Sequence, residues 1–162
     1  MFMPKDEENF FLSHLKSDHK VLEYGSGEST KQIAERVDSV LSIEHQKNWY
    51  EKVKNEIPNN AEIVLVEPNY PHIDGSGDGS FQQFKDYVEY PIGKNIFDII
   101  LIDGRARPWC ASICKKISHE KTIVFIDDFN TGEISRTDYK LAHYYLNELD
   151  HCGRLYKFEV RM

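Results

Sequence analysis

Hydrophobic and polar positions along this chain form short blocks of two kinds. In residues 6–15 the apolar side chains recur at helical intervals, which predicts a helix with one buried face. Lys20–Tyr24 and Ser39–Glu44 are instead short extended runs that end at a glycine or at a charged residue, which predicts strands. The order of the blocks predicts that helices and strands alternate along the chain.

Two further runs have no polar face. Residues 96–102 and 122–126 are almost continuously apolar, which is typical of strands covered on both sides in a parallel sheet. With another strand at 61–66, the pattern predicts an α/β fold built on a doubly wound, mostly parallel sheet. Residues 154–161 would add a short antiparallel edge strand at the C-terminus.

Helices are predicted between most of these strands. They are expected near Ile33 to Val37, near Trp49 to Val53, at 81–87, from Pro108 onwards, and at 138–149, where Leu141, Tyr144, Tyr145 and Leu149 have helical spacing. This arrangement leaves only one strand after the last helix.

Length and charge limit the classes of protein to consider. At 162 residues the chain is expected to form one domain, residues 1–162, around one core. Its formal net charge of −7 disfavours a nucleic acid partner, because phosphate backbones are usually bound by clustered Lys and Arg. The sequence contains no bilayer-length apolar run and no signal-peptide pattern, so we expect no membrane partner and a cytoplasmic location. The oligomeric state is left open.

Two glycines follow the first predicted strand. Gly25 and Gly27 allow the backbone to turn sharply and to approach a ligand, and the next helix directs free N–H groups to the same place. A dinucleotide site favours a third glycine, where this chain has Thr30. Glu23 instead suits S-adenosylmethionine (SAM), whose methionine part carries an ammonium group. Glu44 is placed to accept the ribose hydroxyls of either cofactor.

Three segments resemble a known family. Class I SAM-dependent methyltransferases, which are Rossmann-like, are similar to this chain in their first, second and fourth motifs, which read here V-L-E-Y-G-S-G-E-S-T, S-I-E-H and F-D-I-I-L-I-D-G-R-A-R-P. The resemblance extends over residues 20–128 and implies a SAM-dependent methyltransferase. The chain departs from the family in having Ser29 at a position that is often glycine, and in showing one C-terminal strand instead of an antiparallel pair.

The resemblance implies a set of cofactor-binding residues. It places Glu23 near the methionine ammonium, Glu44 on the ribose and Glu67 close to the adenine. The full set is Glu23, Tyr24, Gly25, Ser26, Gly27, Ser29, Thr30, Glu44, His45, Glu67, Asp103 and Gly104. The alternatives are that Glu23 is a solvated strand end, that Glu44 caps the next helix and that Glu67 is only a loop charge. His45 and Trp49 could flank the adenine or only pack against the helix.

Three carboxylates are expected to meet at the carboxyl edge of the sheet. Asp103, Asp127 and Asp128 follow two central strands, and clustered oxygen ligands suit Mg²⁺. Metal-dependent catechol-type O-methyltransferases resemble this chain at these positions, so the three residues are a candidate metal site, with metal-free contacts as the alternative. Arg105 and Arg107 offer planar forks for a carboxylate or phosphate of the acceptor, with salt bridges to nearby acidic residues as the alternative. Asp103 and Arg105 are the predicted catalytic residues.

Acceptor recognition is assigned to two loop segments, residues 68–94 and 129–138. The first is rich in aromatic side chains and contains His72 as a candidate base. Such a loop suits a small molecule, a sugar or a peptide. We therefore expect methyl transfer to an oxygen or nitrogen atom of a small molecule or glycan. The alternatives are an NAD-dependent oxidoreductase and a non-catalytic SAM-binding module.

Overall fold

A seven-stranded sheet organises the part of the chain that the computed structural model describes, which is residues 3–71, 78–129 and 134–162, with only the backbone described for 134–138. The strands are Lys20–Tyr24 (β1), Ser39–Glu44 (β2), Ala61–Leu65 (β3), Phe97–Ile102 (β4), Ser118–Ile126 (β5), Leu146–Cys152 (β6) and Leu155–Val160 (β7). Strands β1 to β5 are parallel, and β7 runs antiparallel between β5 and β6. The predicted mostly parallel α/β sheet is confirmed.

The order of the strands creates a binding crevice. The sheet runs β3-β2-β1-β4-β5-β7-β6, so the chain moves outward from β1 to β3 and then returns to pair β4 with the other side of β1. In open α/β sheets such a reversal leaves a crevice at the carboxyl ends of the two central strands. The residues that follow β1 and β4 are therefore the ones that the topology brings together.

Helices cover both faces of the sheet. They are Lys5–Leu12 (α1), Glu28–Ala34 (α2), Lys47–Val53 (α3), Lys85–Glu89 (α4) and Arg107–Ile113 (α5), with 3₁₀ segments at Cys114–Ile117 and Ile134–Tyr144. In β4, Ile100 and Ile102 pack into one apolar cluster while Ile99 and Leu101 pack into the other. Both faces are buried, which explains the unbroken apolar run. No helix within the described residues is long and apolar enough to cross a membrane.

The C-terminal part differs from the sequence prediction. The helix predicted at 138–149 is wrong, because a 3₁₀ segment ends at Tyr144 and β6 follows from Leu146. The antiparallel strand predicted at 154–161 is confirmed as β7, but it is neither single nor at the edge, because β6 pairs with it on its outer side and the two are joined at Gly153. Leu146 is the one residue of β6 that is fully buried, since β6 lies at the edge of the sheet. An edge strand of this kind has no alternating pattern by which the sequence could reveal it.

Candidate active site

A cavity of about 500 Å³ lies at the carboxyl ends of β1, β2 and β4. It is lined by Gly25, Ser26, Gly27, Glu28, Ser29, Glu44, His45, Gln46, Trp49, Asp103, Gly104, Arg105 and Arg107. Most of the predicted cofactor residues are in this set, and so is the predicted catalytic Arg105. The predicted residues Glu23, Tyr24, Thr30, Glu67, Asp127 and Asp128 do not line the cavity. Glu28 and Gln46 line it without having been predicted, because neither has a distinctive sequence signal.

The turn after β1 touches the turn after β4. Gly25 has a φ of +95°, and a Cβ atom there would lie 3.0 Å from both the carbonyl oxygen of Asp103 and the Cα of Gly104. Gly27 lies against the indole ring of Trp49, whose Nε1 donates a hydrogen bond to the carbonyl of Ser26. The two glycines thus leave open backbone at the floor of the cavity, as the sequence predicted.

Glu23 supports this turn from behind. Its side chain is fully buried and accepts hydrogen bonds from the hydroxyls of Ser29, Thr30 and Ser42, the last two at 2.6 Å. Burial raises the pKa of Glu23 from 4.5 to about 7, although the three hydroxyl donors oppose the shift. The carboxyl group therefore holds the start of α2 against β1 and β2.

Glu44 ties the glycine turn to the turn after β2. Its Oε2 accepts a hydrogen bond from the backbone N–H of Ser26 at 3.0 Å, and its Oε1 accepts those of His45 and Gln46 at 2.9 Å. The carboxylate lines the cavity and also accepts the two backbone N–H groups that precede α3. It makes no cap hydrogen bond to α3 itself, so the interpretation of Glu44 as a helix cap is not supported.

His45 is a neutral group on the cavity wall. Burial and the positive charge of Arg105 lower the pKa of its imidazole to about 4. The ring lies edge-on to Phe84 and Tyr87, with centroid distances of 5.7 and 5.8 Å. His45 therefore packs against the core with one side while it lines the cavity with another.

Comparison with known proteins bears on this arrangement. Neither a protein-family model nor a curated protein matches the sequence. Among solved structures, a methyltransferase-like protein from Silicibacter pomeroyi is 25% identical, with a TM-score of 0.76 over 99% of this chain and 87% of that one. A TehB-like SAM-dependent methyltransferase from Corynebacterium glutamicum is 14% identical, with a TM-score of 0.63 over 96% and 87%. The N-methyltransferase NodS from Bradyrhizobium japonicum, in complex with S-adenosyl-L-homocysteine (SAH), is 12% identical, with a TM-score of 0.57 over 98% and 88%.

The chain has the class I SAM-dependent methyltransferase fold. In this fold the antiparallel pair β6 and β7 completes the sheet, which corrects the departure that the sequence suggested. The strand ends that carry the glycine turn, Glu44 and Asp103 all belong to the parallel part.

At the carboxyl edge of β4 and β5 in this methyltransferase fold, the guanidinium of Arg107 lies among the three aspartates predicted to hold Mg²⁺. Its Nε donates to the carbonyl of Gly104 at 3.1 Å, its Nη2 to that of Asp103 at 3.4 Å, and its Nη1 to that of Asp127. Nη2 is also 3.6 Å from Asp103 Oδ1, and Nη1 is 4.0 Å from Asp128 Oδ2. Arg107 is only 6% exposed, so its fork is committed to these partners.

These contacts do not support the predicted Mg²⁺ site. Within the described ranges, no group of three or more His, Cys, Asp or Glu side chains is placed to hold a metal ion. A divalent cation would need carboxylate oxygens within about 2.0 to 2.6 Å of one point. The carboxylates of Asp103 and Asp128 instead flank the guanidinium of Arg107.

Two carboxyl groups at this edge resist ionisation. Burial raises the pKa of Asp103 well above its usual range, and the neighbouring Asp127 adds to the shift while Arg107 opposes it. Burial also raises the pKa of Asp127, with a further contribution from the charge of Asp128. The edge therefore carries less negative charge than its three aspartates suggest.

Asp78 anchors the segments around Arg107, although no pattern in the sequence singles it out. Its Oδ2 accepts the backbone N–H of Arg107 at 3.1 Å, and its Oδ1 accepts the hydroxyl of Tyr139 at 2.8 Å. The residues that meet here are 29 and 61 positions apart along the chain. No local pattern connects positions so distant, so only the folded chain reveals the contact.

The predicted acceptor loop is described in part. Tyr87 is fully buried, and its hydroxyl lies against Gly104. Phe81 packs against Trp109, with ring centroids 6.0 Å apart. The candidate base His72 lies outside the described residues.

Proposed function

We propose that this protein is a SAM-dependent methyltransferase that methylates an oxygen or nitrogen atom of a small molecule or glycan. The observation that carries the proposal is that the glycine turn, Glu44 and the Asp103-Gly104 turn converge on one cavity at the switch point of the sheet. Its volume of about 500 Å³ is within the range of sites that enclose a small cofactor.

The lining residues fit SAM in their chemistry. Gly25 and Gly27 supply bare backbone for close approach by the methionine part, and a side chain at Gly25 would collide with the backbone of Asp103 and Gly104. Glu44 offers carboxylate oxygens to the ribose hydroxyls. Asp103 faces the cavity from the end of β4 and would accept a hydrogen bond from the methionine ammonium. Glu23 acts on the same site through the turn that it holds.

When bound, SAM would supply a methyl group that passes in line from the sulfonium sulfur to the acceptor oxygen or nitrogen, leaving SAH and a proton that the acceptor loses. The main task of the protein is therefore to align the acceptor with the methyl group and to exclude water. Asp103 and Arg105 both line the cavity, and we assign to them the role of orienting the reacting group of the acceptor. The acceptor itself would be selected by the segments that follow β3 and β5.

Isothermal calorimetry of the purified chain with SAM and with SAH tests this proposal, with NADH as the control for a dinucleotide site. We expect micromolar binding of both sulfur compounds and none of NADH. Binding of NADH alone would favour the oxidoreductase alternative. A folded sample that binds neither SAM nor SAH would refute the proposed function.

Replacing Asp103 with asparagine should weaken SAM binding by about tenfold or more, because the bound ammonium group would favour the ionised form of the Asp103 carboxyl and an amide cannot ionise. Asp98→Asn is the matched control. Asp98 lies near the opposite end of β4, where it accepts the backbone N–H of Lys20 at 2.7 Å and contacts His119 at 2.8 Å. We expect the control to bind SAM normally. Equal SAM affinity of the Asp103 variant and the wild type would mean that Asp103 does not contribute to the cofactor site.

Arg105 is proposed to bind a carboxylate or phosphate group of the acceptor. Its side chain lines the cavity, and no hydrogen bond or ion pair of its guanidinium occurs within the described part of the chain. We expect Arg105→Gln to leave SAH affinity within about twofold of the wild type, and to weaken the binding of inorganic phosphate to the SAH-saturated protein by about tenfold. Arg36→Gln, at an exposed position that pairs with Glu35, is the control.

A comparison of two cofactor analogues distinguishes the acceptor from the cofactor as the source of the anion. Methylthioadenosine lacks the amino acid part of SAH. If Arg105→Gln weakens SAH but not methylthioadenosine, Arg105 binds the methionine carboxylate and its proposed role toward the acceptor is wrong.

A further inference from the structure

We propose that the guanidinium of Arg107 is the cation at the centre of the aspartate cluster after β4 and β5. This cluster therefore neither needs nor binds a divalent metal. The guanidinium lies among the side chains of Asp103 and Asp128 and the backbone of Asp127, where the sequence predicted Mg²⁺. As far as it concerns the reaction, this inference rests on the proposed methyl transfer. The test by cation binding does not depend on that proposed function.

The contacts of Arg107 join the ends of β4 and β5. Its three donors reach the carbonyls of Asp103 and Gly104 after β4 and the carbonyl of Asp127 after β5. The planar fork of arginine suits several oxygen acceptors in one plane. Displacing the side chain would leave these carbonyls without their donors, which is costly at a buried position.

The backbone turn at Ala106 and the side chains of Asp78 and Tyr139 also hold Arg107 in position. Ala106 adopts a left-handed conformation with a φ of 51°, and its N–H donates to the carbonyl of Asp78 at 2.8 Å. The carboxylate of Asp78 accepts the N–H of Arg107 at 3.1 Å, and the ring of Tyr139 lies 5.7 Å from the guanidinium carbon. The backbone turn and both neighbours therefore direct the side chain toward the carboxylates.

A second arginine on the same cluster provides a matched control. Arg154 Nη1 lies 3.3 Å from Asp128 Oδ1, but its side chain is 55% exposed, whereas that of Arg107 is 8% exposed. Removing either side chain removes one positive charge near Asp128. Only the removal of Arg107 also empties the centre of the cluster.

Binding of Mn²⁺, followed by electron paramagnetic resonance of the free ion, tests the inference on the full chain. We expect the wild type and Arg154→Met to bind Mn²⁺ no more tightly than about 1 mM, because the carboxylates already have a cation. Arg107→Met should bind it at least about tenfold more tightly, since the side chains of Asp103 and Asp128 then lose the guanidinium that lies between them. Adding Asp128→Asn to Arg107→Met should remove this gain. If Arg107 had a purely structural role, its replacement by methionine would not create a cation site.

Two results would overturn the inference. One is micromolar Mn²⁺ binding by the wild type that is lost in Asp103→Asn, and the other is a folded Arg107→Met protein without increased Mn²⁺ binding. If Arg107→Met does not fold, the wild-type titration decides by itself, together with SAM calorimetry in EDTA. Absence of Mn²⁺ binding with unchanged SAM affinity supports the inference, and a loss of SAM affinity in EDTA contradicts it. Failure of the wild type to bind SAM in any buffer would refute the proposed function but not the assignment of Arg107.

Discussion

Replacing Gly104 with alanine is expected to destabilise the protein strongly and to abolish measurable SAM binding. A Cβ atom at this position would overlap the hydroxyl oxygen of Tyr87 and lie 3.2 Å from the backbone nitrogen of Gly25. Tyr87 is fully buried, and the other neighbour is backbone, so neither can move away easily. Overpacking of this kind costs about 1 to 3 kcal/mol, and we expect a value near the upper end. Urea unfolding and calorimetry with SAM measure the two effects.

A second substitution should relieve part of this clash. Tyr87→Phe removes the hydroxyl that the new methyl group would meet, so the double variant should regain at least about half of the lost stability, and the two substitutions should be strongly non-additive. Gly93→Ala is the control for backbone strain alone. Gly93 has a φ of +82° with open space around it, and its replacement should cost about 1 kcal/mol without affecting SAM binding. Wild-type SAM affinity in Gly104→Ala would mean that the contact between the two turns does not shape the site.

Glu23→Gln is expected to remove most of a pH-dependent loss of stability between pH 4.5 and about 7. The pKa of Glu23 rises from 4.5 to about 7 in the folded protein, mainly because of burial. Below both values the carboxyl is protonated in both states, and its contribution to folding is fully present. As the pH rises through this window, the unfolded chain ionises first, so the folded state becomes less favourable by about 3 kcal/mol.

Urea unfolding of the wild type and of Glu23→Gln at several pH values between about 5 and 8 measures this effect. The free energy of unfolding of the variant, relative to the wild type, should rise with pH across the window and then level off. Glu62→Gln, at an exposed position of β3, should give a curve parallel to the wild type. Parallel curves for the Glu23 variant as well would mean that Glu23 is already ionised in the folded protein.

The same carboxyl group links SAM binding to pH. Because SAM carries a sulfonium and an ammonium group, its binding should favour the ionised form of Glu23 and release part of a proton near pH 7. Calorimetry in two buffers with different ionisation enthalpies detects this release. Glu23→Gln should release less, and it should also bind SAM about tenfold or more weakly, because the negative charge behind the turn is gone. Unchanged proton release in the variant would assign the effect to another group.

The parallel sheet and the glycine turn are readable from the sequence because their signals are local. The two-sided burial of β4 appears as an unbroken apolar run, and the turn after β1 requires glycine at position 25, where φ is +95°. Since the carboxyl ends of parallel strands share one edge, Glu44 and Asp103 could be assigned to the same site without knowledge of any contact between them. The cavity at that edge is lined by both residues.

The C-terminal strands could not be read in this way. Leu149 and Tyr144 stand at helical spacing, yet they are 46% and 74% exposed, so their pattern reflects no buried helix face. Strand β6 exists because its backbone pairs with β7. Such pairing depends on partners elsewhere in the chain, and tertiary context then overrides local propensity.

The sequence by itself therefore determined the alternation of helices and strands and the edge of the sheet at which a cofactor would bind. Only the tertiary structure decided what each charged side chain does there. In the folded chain, Glu23 is buried behind the turn, where the hydroxyl of Ser42 donates a hydrogen bond to it. Arg107 lies where a metal had been predicted. The reason is physical: periodicity and turns are set by neighbouring residues, whereas the environment of a charge is set by groups that folding brings together from distant parts of the chain.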